Sequence, residues 1–174
     1  MNNNIYNKLK IWAENKRMYG PEYMHGFHHI KNGVAFTDGH FIMRIFDSEF
    51  IKTLAENEYS SEQLRGKIDK CFLSIADNTK KIVIPYPKKD NLQSIKMDGY
   101  KKDYLALDNN TVVSPVYIRR IFAINRNHED ISVYAQNTTA PIYYRGVNVD
   151  VIITPYTSNF LNRLYLHGLK RTGE

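Results

Sequence analysis

Apolar residues change their rhythm several times along this chain. Ile5, Leu9 and Trp12 recur at the spacing of one helical face, and Asn4 before them offers a side-chain oxygen for an N-terminal cap. Gly20-Pro21 supplies the stop signal. On such a helix Lys10 and Arg17, seven residues apart, share a face roughly opposite the apolar stripe. From Tyr23 to Phe46 the pattern shifts to short aromatic and β-branched runs broken by "KNG" and "DGH", which predicts strands near 26–30, 34–37 and 41–46 joined as hairpins.

Further along, Ser60-Ser61 followed by Glu62 and Gln63 resembles a capping arrangement and predicts a helix over 60–72. A short strand at 82–84 leads into "PYPKKDNLQSIKMDGYKKDY", a Pro- and Lys-rich stretch that reads as an exposed basic loop or an insertion. Strand character returns at 104–107. "SPVYIRRIFAINRN" then predicts a helix capped by Ser114, with Pro115 in its first turn and Ile118, Ile121 and Phe122 as its buried stripe. Arg119, Arg120 and Arg126 are expected on its other side. Strands follow at 131–135, 141–145 and 149–154, and an amphipathic segment at 160–169 closes the pattern. The order implies an α+β fold in which an antiparallel sheet carries two helices on one face, with an extra C-terminal helix.

Length and charge narrow this picture. With 174 residues and 43% hydrophobic residues, the expectation is one domain over 1–156, with a variable basic insertion at about 48–102 and a helical extension over 157–174. The formal net charge of +6 is unevenly spread, because Lys80, Lys81, Lys88, Lys89, Lys96, Lys101 and Lys102 all fall in the middle third. Such an excess points to an acidic partner or to solubility alone. Cys71 is the single cysteine, which removes a disulfide framework and a cysteine-based zinc site. No apolar run approaches the ~20 residues that span a bilayer, so a cytoplasmic protein without a membrane partner is expected.

The chemistry-bearing stretch is "GVAFTDGHFIMRIF", residues 33–46. Asp38 and His40 suggest an acid–base pair, but catalysis needs their side chains to converge on a substrate. Asp-Gly is among the strongest hairpin signals, so a turn is the preferred reading. His25, His28, His29 and His40 invite a metal, yet strand alternation sends His28 and His29 to opposite faces. No metal or cofactor is expected. Cys71 reads as a small buried residue at a helix end, and neither a Gly-x-Ser-x-Gly elbow nor a phosphate-cradling glycine loop is present in the sequence.

A helix, then "YMHGFHHIKNGVAFTDGHFIMRI", then "SPVYIRRIF" leading into "ISVYAQNTTAPIYYRGVNVDVIITPY", resembles one domain of the bacterial DNA sliding clamp, the processivity subunit of the replicative polymerase. That family carries Thr-Asp-Gly-His-Arg-Leu, where this chain has Thr37, Asp38, Gly39, His40, Phe41 and Ile42; its closing strand tends to end apolar-apolar-Met-Pro-Met, where this chain has Ile152, Ile153, Thr154, Pro155 and Tyr156. Phe41 in place of Arg, and room for one domain where a clamp subunit strings three, put ring formation in question.

The resemblance implies a non-enzymatic protein of DNA replication or metabolism. It implies sequence-independent contact with double-stranded DNA through Lys10, Arg17, Arg119, Arg120 and Arg126. It also implies a niche for a polymerase or other replication-protein peptide lined by Thr37, Gly39, His40, Phe41 and Pro155, and association into a homo-oligomer. The alternatives are a small nucleic-acid-processing enzyme using His28, Asp38 and His40, and a protein-binding regulator with a clamp-like fold.

Overall fold

The computed structural model describes residues 3–14, 24–60, 64–73, 80–125, 131–171 and 173. In chain order its first elements are α1 (Asn3–Ala13), β1 (His28–Ile30), β2 (Gly33–Thr37), β3 (Phe41–Ile45), α2 (Ser48–Lys52), α3 (Arg65–Leu73) and β4 (Lys80–Ile84). There follow β5 (Gln93–Met97), β6 (Tyr100–Ala106), β7 (Val112–Val113), α4 (Pro115–Asn125), β8 (Ile131–Ala135), β9 (Ile142–Arg145), β10 (Val149–Ile153) and α5 (Ser158–Leu166). The chain is α+β, with a large antiparallel sheet and several helices. It divides into two compact units, one made of residues 1–76 with 144–152, the other of 77–143 with 153–174.

In the first unit β1, β2 and β3 form an antiparallel meander, and β10 follows β3 in the strand order. The "KNG" signal ends in Gly33, which pairs with Ile30 across the first hairpin. A Cβ on Gly33 would stand 2.2 Å from the Ile45 carbonyl oxygen, a backbone contact that cannot yield, so only glycine lets β2 and β3 approach this closely here. Alternation along β3 buries Phe41, Met43 and Ile45. Beneath the meander Phe27 packs edge-on against Phe36 and Phe50, at centroid distances of 5.8 and 5.6 Å. Helix α1 buries Ile5, Tyr6, Leu9 and Ala13, while Trp12 is only half-buried. The Tyr6 hydroxyl donates to buried Asp47 at 3.0 Å, and Asp47 caps α2 by accepting the Phe50 N–H at 2.8 Å.

In the second unit β8 pairs with β4 and, through Tyr134 and Tyr143, with the start of β9, and a separate three-stranded sheet has the order β5-β6-β7. Strand β4 pairs with β8 from Lys80 opposite Ala135 to Ile84 opposite Ile131. Ile95, Tyr104 and Val112 from the small sheet form a core with Leu161, Leu164 and Leu169 around α5. Burial pushes the Tyr104 and Tyr156 hydroxyls above the ordinary phenol range, so these rings stay neutral inside the cluster.

Several boundaries differ from the sequence expectation, most of all in the basic middle. Residues 93–97, expected in an exposed loop, form β5, and β6 begins at Tyr100 rather than near 104. Strand β5 turns one apolar side chain, Ile95, to full burial, so its sequence carries almost no alternating signal. Helix α3 runs over Arg65–Leu73 rather than from Ser60, which is buried and non-helical; the rest of the expected cap, 61–63, and the expected stop of α1 at Gly20-Pro21 lie outside the described residues.

Candidate functional site

The Thr-Asp-Gly-His turn lies in the first unit between β2 and β3. Its backbone closes through the Asp38 N–H, which donates to the Phe41 carbonyl at 3.2 Å. Side chains complete it: Thr37 Oγ1 accepts the Gly39 N–H at 3.0 Å, and Asp38 Oδ1 accepts the N–H groups of His40 at 2.9 Å and Phe41 at 2.8 Å. This is the local bonding by which Asp replaces a backbone acceptor in a tight turn. Gly39 sits at φ 89, where a residue with a Cβ is strained.

The turn sorts its members by depth. Gly39 and His40 are exposed, Thr37 and Asp38 are half-buried, and Phe41 is fully buried with its ring 6.0 Å from that of Phe36. Asp38 Oδ1 is committed to two backbone donors belonging to the turn itself. Asp38→Ala is therefore expected to cost about 1–2 kcal/mol and Asp38→Asn, which keeps an acceptor oxygen, well under half of that. Urea unfolding midpoints check the contrast. Pro155 is buried and belongs to the second unit, just after β10.

The histidines behave as strand alternation requires: His28 is buried and His29 is exposed, stacked on Tyr59 with ring centroids 4.1 Å apart. His25 is half-buried. Among the described residues no group of His, Cys, Asp or Glu is placed to hold a metal ion. Cys71, expected to be buried, is exposed on α3. The apolar residues of that helix that turn inward are Ile68 and Phe72, and Cys71 falls between them on the wet side.

The basic helix residues divide. Lys10 Nζ donates to the Thr53 carbonyl at 3.0 Å and pairs with Glu58 at 2.9 Å, which ties α1 to the segment after α2. Arg119 is exposed, with one guanidinium nitrogen donating to the Pro87 carbonyl at 3.2 Å. Arg120, expected on the same outward side, is 6% exposed, its guanidinium carbon 5.7 Å from the centre of the Tyr117 ring. Helix α4 buries Pro115, Ile118, Arg120, Ile121, Phe122 and Ile124, so its wet face is narrower than its apolar stripe suggests and Arg120 falls inside. Arg17 and Arg126 lie outside the described residues. Sequence reading missed the ordered β5–β6 hairpin, whose lysines it left in a loop; the "MDGY" turn flanked by Ile95 and Tyr104 was the available signal.

No protein-family model matches the chain, and no curated protein matches its sequence. Among solved structures it is similar to a Eubacterium rectale protein provisionally assigned as a DNA polymerase III beta subunit, with 15% identity, a TM-score of 0.51 and coverage of 90% of this chain. The chain spans 64% of that protein's length. At this level of identity the likeness concerns the fold, and the fold of this chain is clamp-like.

Proposed function

We propose that the chain is a non-enzymatic, clamp-like protein of DNA metabolism that works in the cytoplasm, touching duplex DNA through basic side chains without reading sequence and docking a replication-protein peptide beside the Thr-Asp-Gly-His turn. The observation that carries this reading is the backbone likeness, over 90% of the chain, to a protein provisionally assigned as a DNA polymerase III beta subunit. The +6 formal charge supports an anionic partner. A turn already fixed by its own side chains supports docking, because no loop needs ordering when a peptide arrives. Self-association would let several copies surround one duplex.

Contacts of this kind are electrostatic and release counterions. About four phosphate contacts would make duplex affinity fall roughly a hundredfold between ~50 and ~200 mM salt. Fluorescence anisotropy with duplexes of unrelated sequence measures this, and affinities should agree between sequences at each salt concentration. No binding at the lower salt, or turnover of a nucleic-acid substrate that is lost in His40→Ala while folding is intact, would end the reading. A purely protein-docking role is favoured over DNA contact by one observation, the commitment of Lys10 to Glu58; that role predicts a silent DNA titration.

A further inference from the structure

Residues 80–102 hold seven lysines against two aspartates, and their last part forms the β5–β6 hairpin. Asp98 and Gly99 close it at φ 52 and φ 82, the conformation that two-residue hairpin loops demand. The register sets Lys96 directly opposite Lys101 and Ser94 directly opposite Asp103. Because side chains alternate across a strand, these four share one face, and all four are exposed. Ile95 and Tyr104 lie buried in the core around α5.

The hairpin is firmly held. Gln93 exchanges hydrogen bonds with the Lys170 backbone, donating at 2.7 Å and accepting at 2.6 Å, and Arg163 of α5 pairs with Asp98 at 3.1 Å. Like charges directly opposite on an antiparallel pair destabilise it. Among the described residues neither Lys96 nor Lys101 has an ion-pair partner, and the one acid on their face, Asp103, accepts the Ser94 hydroxyl. An open groove of about 380 Å³, lined by Lys89, Leu92, Ser94, Lys101 and Asp103, continues the surface. Among the described residues this solvent-facing sheet surface and its groove therefore carry Lys89, Lys96 and Lys101 against the single carboxylate of Asp103, which leaves the face positive.

We propose that this face, carried by Lys89, Lys96 and Lys101, binds the phosphate backbone of DNA. The proposal rests on the reading that DNA is the partner, and it moves the contact from the helices to a sheet face. Cross-strand neighbours stand about 4.5–5.5 Å apart at Cβ, and flexible lysine stems spread their ammonium groups over successive phosphates of one strand. Ammonium groups supply charge without a fixed fork, which suits a contact indifferent to base sequence.

The test compares the full chain with Lys96→Gln/Lys101→Gln and with Arg119→Gln, titrating a labelled duplex between ~50 and ~200 mM salt. Loss of two phosphate contacts lowers the slope of log affinity against log salt by about 1.8, so the hairpin variant should lose roughly tenfold less affinity over that range than the unmodified chain. Arg119→Gln should keep the larger part of the slope. The hairpin variant should unfold at an equal or higher temperature, since an exposed like-charge pair is gone. An unchanged slope and affinity would overturn the assignment and leave the lysines as guards of an edge strand. Phosphatidylserine vesicles that lose the double variant while duplex retains it would overturn it as well. Failure of the unmodified chain to bind duplex sinks the DNA reading itself, an outcome distinct from failure of the hairpin alone.

Discussion

Arg44→Ala is expected to lower the unfolding free energy by about 3–5 kcal/mol. Arg44 leaves β3 with its guanidinium 2.6 Å from the Asp150 carboxylate and its carbon 3.6 Å from the centre of the Phe72 ring. The side chains are 19% and 9% exposed, so little water reaches the pair. Truncation removes a ring contact and strands Asp150 in a poorly solvated site, which is what makes the loss large. The paired replacement Arg44→Met with Asp150→Asn, which removes both charges and nearly keeps both volumes, should recover much of the stability. Urea unfolding of Arg44→Met, Asp150→Asn and the double closes a thermodynamic cycle. A small loss in Arg44→Ala would mean that water screens the pair and that packing on Phe72 contributes little.

Phe27→Ala should cost a comparable amount, about 3–5 kcal/mol, through a different mechanism. Phe27 is fully buried and meets Phe36 and Phe50 edge-to-face. Its backbone is held on both sides, with its N–H donating to the Glu58 carbonyl at 2.9 Å and its carbonyl accepting the Ser60 N–H at 2.8 Å. A pinned backbone cannot move in to fill the space the ring leaves, so the cavity persists. Phe27→Leu should recover a substantial part of the loss. Thermal unfolding with matched denaturant midpoints checks both variants, and equal stability of Phe27→Ala and the unmodified chain would show that the three rings do not act as a cluster.

Much of this architecture can be read from periodicity. The runs around Val34, Phe41, Ile131 and Val149 became strands because several apolar residues in each turn inward, and the Thr-Asp-Gly-His stretch became a side-chain-bonded turn because Asp and Gly favour that geometry. Strand β5 escaped notice since Ile95 alone reaches the interior and Ser94 and Lys96 occupy its exposed positions. Arg120 escaped for the opposite reason. A charged residue reads as solvent-facing, while its long stem and delocalised charge let it lie along a core beside Tyr117. Periodicity also carries no information about pairing at long range, so the union of Arg44 with Asp150 and of Lys10 with Glu58 could not be foreseen from either segment.

The Arg44–Asp150 pair joins positions 106 residues apart, and the first unit draws residues 144–152 from late in the chain. During synthesis that unit therefore waits, its β3 edge lacking β10 and its arginine lacking an anion, until residues 144–152 have emerged from the ribosome. Slow folding, set by this distant closure, and a nascent state prone to capture by chaperones follow from where a single strand happens to be encoded.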